Sequence, residues 1–167
     1  MEAEAQAVPP GRAGVGRKRC AALGRFPAAG ESSRLPRGEL EEAEGALAEL
    51  GLPEEVADSG HLIFFLGARG WLRYARRDFA GAAADWERLG RCMEAFDMWN
   101  PAIVAWRSHL ALAYVALGRR DEALELARKE VEVARSWGAP RPIGVALRVL
   151  GMAEGGDQGI ETLRANA

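Results

Sequence analysis

Apolar residues recur at three- and four-residue steps along most of this chain, the period of helices with one buried face. Leu40, Ala43, Leu47 and Leu50 form the first stripe, which Gly51 and Pro53 end. A second helix, over about His61 to Arg76, opens with Leu62-Ile-Phe-Phe-Leu66, apolar all round and therefore expected to pack on more than one side. A buried strand is the alternative for those five residues. The spacing that continues through Trp71, Leu72 and Ala75 without a turn signal favours helix. Asp78 can cap a third helix carrying Ala82, Ala83, Trp86, Leu89, Met93 and Phe96. Asn100-Pro101 reads as the start of a fourth, because Asn accepts an orphan amide hydrogen bond and proline fits the first turn, where its missing N–H goes unused.

The fourth helix places Ile103, Trp106, Leu110, Tyr114 and Leu117 on one stripe, with Arg107 and His109 as its polar interruptions, and stops at Gly118. From Asp121 a fifth turns Leu124, Ala127, Val131 and Ala134 inward and Glu122, Glu125, Lys129 and Glu132 outward, ending at Gly138. A sixth begins near Pro142, Gly155-Gly156 breaks it, and Asp157 can cap a last helix with Ile160 and Leu163. No segment reads as a strand. The predicted class is all-α, with short connections that make successive helices antiparallel neighbours.

These helices come in copies. Gly70, Ala82 and Trp86 match Ala111, Ala123 and Ala127 at a step of 41 residues, and Ala43 offers an earlier half copy. Small residues where one helix touches its partner, a turn, then alanines on the second helix make a tetratricopeptide-like pattern, with a longer interval than the usual ~34 residues. The expected fold is thus an antiparallel helix-pair solenoid of about three incomplete repeats, residues 37–167, C-terminally truncated because no polar capping helix follows. An irregular alanine-rich helical bundle is the alternative. Trp86, Trp106 and Tyr114 sit at core-facing spacings and are read as packing, not as a ligand cage.

Charge divides the chain of 167 residues differently from its apolar pattern. Six basic side chains against three acidic ones give residues 1–36 a net +3, leaving −5 for the rest of a total of −2. This Gly-, Pro- and Arg-rich stretch has no apolar period and reads as a disordered basic tail. Gly11-Arg-Ala-Gly-Val-Gly16 has P-loop-like glycine spacing, but Arg17 stands where the lysine belongs, no Ser or Thr follows, and no strand precedes. Cys20 and Cys92 lie too far apart for a metal-ligand pair, and neither His61 nor His109 has a partner at zinc spacing, so no cofactor or metal is expected. The acidic start lacks the features of a secretory signal, and no uncharged stretch approaches the ~20 residues of a membrane span. A cytoplasmic protein without membrane contact is the expectation.

Asn100-Pro-Ala-Ile-Val-Ala-Trp106-Arg-Ser108, Ala113-Tyr-Val-Ala-Leu-Gly-Arg-Arg-Asp-Glu-Ala123 and Ala134-Arg-Ser-Trp-Gly-Ala-Pro140-Arg-Pro-Ile-Gly-Val-Ala-Leu-Arg148 resemble the helical-repeat region of the large ATP-binding LuxR-type transcriptional regulators of actinobacteria. The likeness spans about residues 36 to 165. Proteins of that family look like three-part switches, with a P-loop ATPase, a helical-repeat sensor and a DNA-binding helix-turn-helix. This sequence matches the middle part alone, so the resemblance implies a sensor or interaction scaffold in transcriptional regulation and signal transduction, without ATP hydrolysis or direct nucleic-acid binding.

On that reading the partner is a protein, a peptide or a small effector, and the uncapped repeat ends allow self-association. With tetratricopeptide geometry the inner-surface positions are Trp71, Tyr74, Ser108, Arg141 and Arg148. Arg107 beside Trp106 is expected to serve the fold through a hydrogen bond to a loop carbonyl. A free-standing peptide-binding adaptor is the alternative function. An enzyme is not expected, since no convergent set of titratable groups emerges from the pattern.

Overall fold

Heptad-like apolar stripes become helices when tertiary packing buries them, and this is what the computed structural model of the chain shows for the residues it describes, 37–49 and 62–165. Every regular element there is α-helical: α1 (Arg37–Glu49), α2 (Leu62–Ala75), α3 (Phe79–Ala95), α4 (Trp106–Ala116), α5 (Arg120–Trp137), α6 (Pro140–Glu154) and α7 (Gly156–Arg164). The run at 62–66 is helix, not strand. The basic tail, the glycine motif at 11–16, Cys20, the Gly51 and Pro53 stop and His61 lie outside the described residues.

Local chemistry sets several of the helix ends. The Asp78 carboxylate accepts the Gly81 N–H at 2.9 Å and so caps α3. Gly138, at φ 71°, closes α5 in the left-handed conformation that its missing Cβ makes inexpensive. Pro140 and Pro142 fall in the first turn of α6, where proline costs no hydrogen bond.

Two expected starts are corrected. Asn100 does not open α4: its side chain accepts the Ala102 N–H at 2.9 Å and its carbonyl accepts the Ile103 N–H, so Asn-Pro makes a separate turn and the helix begins only at Trp106. Asn offers its side chain to a turn as readily as to a helix start. Ile103 therefore leaves the buried stripe and is exposed. Asp157 likewise sits in the first turn of α7, with Gly155 at the cap position.

Each helix packs on the next, from α1 on α2 through α6 on α7 (the α1–α2 connection lying outside the described residues), and α4 also packs on α6. The largest apolar cluster centres on α2, α3 and α4, around Ile63, Leu66, Trp86, Leu89 and Leu112, and continues through Ala123 and Ala127 of α5 to Val149 and Ala153 of α6. Close approach there depends on glycine: a Cβ at Gly70 would collide with the Trp86 indole, and one at Gly90 with the Trp106 ring. The α4–α5 pair uses fully buried Ala111, Ala123 and Ala127 at the positions matching Gly70, Ala82 and Trp86. Leu47 packs with Phe65 and Ala68 between α1 and α2, so the apolar run at 62–66 faces two sides as expected, although Phe64 is exposed.

Candidate functional site

The first three residues of α4 are polar or amphipathic, Trp106-Arg107-Ser108, followed by His109, and the packing of α4 between its neighbours buries all four. Burying polar groups requires partners, so where those partners are incomplete is informative. The His109 ring lies 4.6 Å from Trp71 and 5.4 Å from Trp86, edge-on and tilted respectively, with Nδ1 unpartnered. Its enclosure pushes the pKa down to about 3, because the imidazolium would lose its hydration. Ser108 Oγ and Trp86 Nε1 also lack partners.

Arg107 reaches the opposite way. Its Nη2 donates to Glu94 Oε1 of α3 at 3.3 Å, and Nη1 lies 3.6 Å from Glu130 Oε2 of α5. Its guanidinium carbon sits 4.3 Å from the Trp106 ring centroid and 5.4 Å from that of Trp99. The expected loop-carbonyl hydrogen bond is thus replaced by two carboxylates and two indoles. Arg107 does serve the fold, tying α3, α4, α5 and the connection between α3 and α4 together.

Glu130 is only 2 % exposed, and its Oε1 meets no donor. Burial raises its pKa to about 7, against which the Arg107 charge acts as the smaller, lowering influence. Asp85 is the contrasting case. It is equally enclosed but accepts from Arg69 Nε at 2.9 Å and Nη2 at 2.6 Å, while Arg73 Nη1 lies at 3.0 Å. Two guanidiniums supply what its carboxylate lost on leaving water; one distant guanidinium does not do so for Glu130.

Over this polar cluster the connection 96–105 carries Phe96, Trp99 and Ile103, which are 51 %, 42 % and 48 % exposed. The Trp99 indole N–H donates to Asp97. On the far edge of α4, Tyr114 donates its hydroxyl to Glu87 at 2.8 Å, and burial with this bond pushes its pKa to about 12.

The five sequence-predicted surface residues divide. Trp71 is buried, in edge-on contact with Tyr74 and Trp86, and Ser108 is fully buried. Neither offers a side chain to a partner, because the space between α2, α3 and α4 is filled by the very rings that a groove would have displayed. Tyr74 is half-buried against Phe79, and Arg141 and Arg148, seven residues apart on one face of α6, are exposed. The structure brings Trp71 and Tyr74 together and adds His109 to them, while the two arginines lie on α6.

Asp85 and Glu130, the buried carboxylates, were not singled out by pattern, yet the signal was present. Asp85 falls three residues after Ala82 and four before Leu89, and Glu130 three after Ala127 and four before Ala134. An acid on an inward register is a buried acid.

Among the described residues no group of three or more His, Cys, Asp or Glu is placed to hold a metal ion, and no helix is long and apolar enough to cross a membrane. Comparison with family models, with curated proteins and with solved structures finds no match.

Proposed function

We propose that the chain is a non-enzymatic helical-repeat scaffold that binds a protein, a peptide or a small effector, of the kind that forms the middle region of LuxR-type ATP-binding regulators. The observation that carries this reading is the order of packing. The pairs α2–α3, α4–α5 and α6–α7 follow one another, and the first helices of successive pairs meet, through Trp71 and His109 between α2 and α4 and directly between α4 and α6. This order supports reading the helices as a tetratricopeptide-like solenoid, an architecture whose extended face serves for binding.

The segments that carry the resemblance fall on the joints of this stack. Trp106-Arg107-Ser108 opens α4 and packs against Gly90, Glu94 and Glu130, and Trp137-Gly138-Ala139-Pro140 is the turn between α5 and α6. Arg141 and Arg148 are the accessible charges we assign to the binding face. Ile160 and Leu163 are apolar and exposed on α7, the end at which a second copy would add. Location in the cytoplasm, with no membrane or direct nucleic-acid contact, belongs to the same reading.

Translating the DNA on both sides of the coding segment tests the regulator assignment. A P-loop upstream and a helix-turn-helix downstream support it, whereas unrelated neighbours leave the scaffold as a free-standing peptide-binding adaptor. Sedimentation equilibrium tests the end-to-end contact: association that Ile160→Lys abolishes supports it, and a monomer at all concentrations contradicts it.

A further inference from the structure

Among the described residues Glu130 is the only carboxylate with a buried oxygen that meets no donor. A chain of contacts leads from it to solvent. Its Oε2 faces Arg107 across 3.6 Å, Arg107 lies against the Trp99 ring, and Trp99 belongs to the non-helical connection between α3 and α4. The second carboxylate on Arg107, Glu94, is half exposed and therefore half in water already.

We propose that this connection, residues 96–105, is a proton-operated gate over the Arg107–Glu130 pair: shut, with Trp99 stacked on Arg107, while Glu130 carries a proton, and open, with water admitted to the carboxylate, once Glu130 ionises.

The sign follows from solvation. A neutral carboxyl is tolerated in an enclosed site, but a carboxylate needs several donors, and Glu130 has one distant cation. Burial therefore outweighs Arg107 and lifts the group into the neutral range, about 7. In an open state that readmits water the group returns toward its ordinary range near 4.5, so ionisation favours the open state. The charges that could reverse this are few. From α4 Arg107 acts on Glu130 and lowers its pKa, and α3 contributes Glu94 through Arg107. The connection has no helical hydrogen-bond ladder, and Phe96, Trp99 and Ile103 on it are already half in water, while buried Pro101 and the core-packed Met98 and Val104 would anchor the segment on which Trp99 swings.

The test is ¹⁹F NMR on the full chain labelled with 5-fluorotryptophan, the Trp99 signal being assigned by its loss in W99F. Between pH 5.5 and 8.5 that signal should titrate with a midpoint near 7, and its solvent-isotope shift should grow on the alkaline side. In Glu130→Gln it should remain at the acid-side position throughout. Glu130→Met, uncharged and of similar length, gives a second route should the glutamine variant not fold, and should behave alike. A Trp99 signal that does not move across this range, or one that titrates unchanged in either uncharged variant, overturns the proposal.

Discussion

Replacing Glu130 by Gln should change how stability depends on pH more than it changes stability at any one pH. In the folded chain Glu130 titrates at about 7 instead of 4.5, and His109 at about 3 instead of 6.5. Between pH 4.5 and 7 the folded state holds a Glu130 proton that the unfolded state has lost, so this group contributes stability below pH 4.5 that is lost as pH rises through 7. His109 acts in the opposite direction. Between pH 3 and 6.5 the unfolded state binds a His109 proton that the folded state excludes, so stability rises with pH there. One bound-proton difference changes stability by about 1.4 kcal/mol per pH unit. From pH 4.5 to 6.5 the two slopes are equal and opposite, and the wild-type curve should be nearly flat across this window. Without Glu130 the His109 slope stands alone, so the Gln variant should gain about 3 kcal/mol between pH 4.5 and 6.5. Urea unfolding at half-unit intervals of pH, analysed by linear extrapolation, measures this. A variant curve parallel to the wild type would refute the opposed burial of the two groups.

The packing makes further predictions. Gly70→Ala places a Cβ into the Trp86 indole and should cost about 1–3 kcal/mol, while Gly144→Ala on α6 meets no atom within 4 Å and should gain about 0.5–1 kcal/mol, both read from thermal or urea unfolding. Arg69→Met removes two donors from buried Asp85 and leaves it Arg73 alone; a loss of about 2–3 kcal/mol is expected, against no measurable change if the pair were a surface ion pair. Arg77, at φ 66° in the turn after α2, should be replaced by glycine with a gain of about 1 kcal/mol in unfolding free energy, since the left-handed conformation then carries no Cβ penalty.

How much of this was legible in the sequence depends on whether one residue had one possible use. Leu89, Ala127 and Val131 can do little but pack, and the helices built on them follow the apolar period. Asn100 had two uses, helix cap and turn, and the turn was taken because α4 starts only where Trp106 meets the notch at Gly90, a long-range contact that no local pattern encodes. Trp71 and Tyr74 were likewise placed on a surface by repeat register, but a ring as large as Trp71 fills whatever gap its neighbours leave, and Trp86, Tyr74 and His109 close around it. The inward positions of Asp85 and Glu130 were readable from their spacing to alanines and leucines. What the spacing did not contain is the difference between them: two arginines converge on Asp85 from α2, one on Glu130 from α4, and that count is set by which helices meet.

The central claim of the proposal, that α2 and α4 are the first helices of stacked pairs and meet through Trp71 and His109, is tested most directly at His109. NMR of the imidazole, with His61 distinguished by an H61N variant, should show nuclear Overhauser contacts from His109 to the Trp71 and Trp86 rings and no titration between pH 5 and 8, as an enclosed neutral ring with a pKa of about 3 requires. A His109 that titrates near 6.5 and shows no contact with Trp71 would mean that the two helices do not meet, and the stack would fall with them.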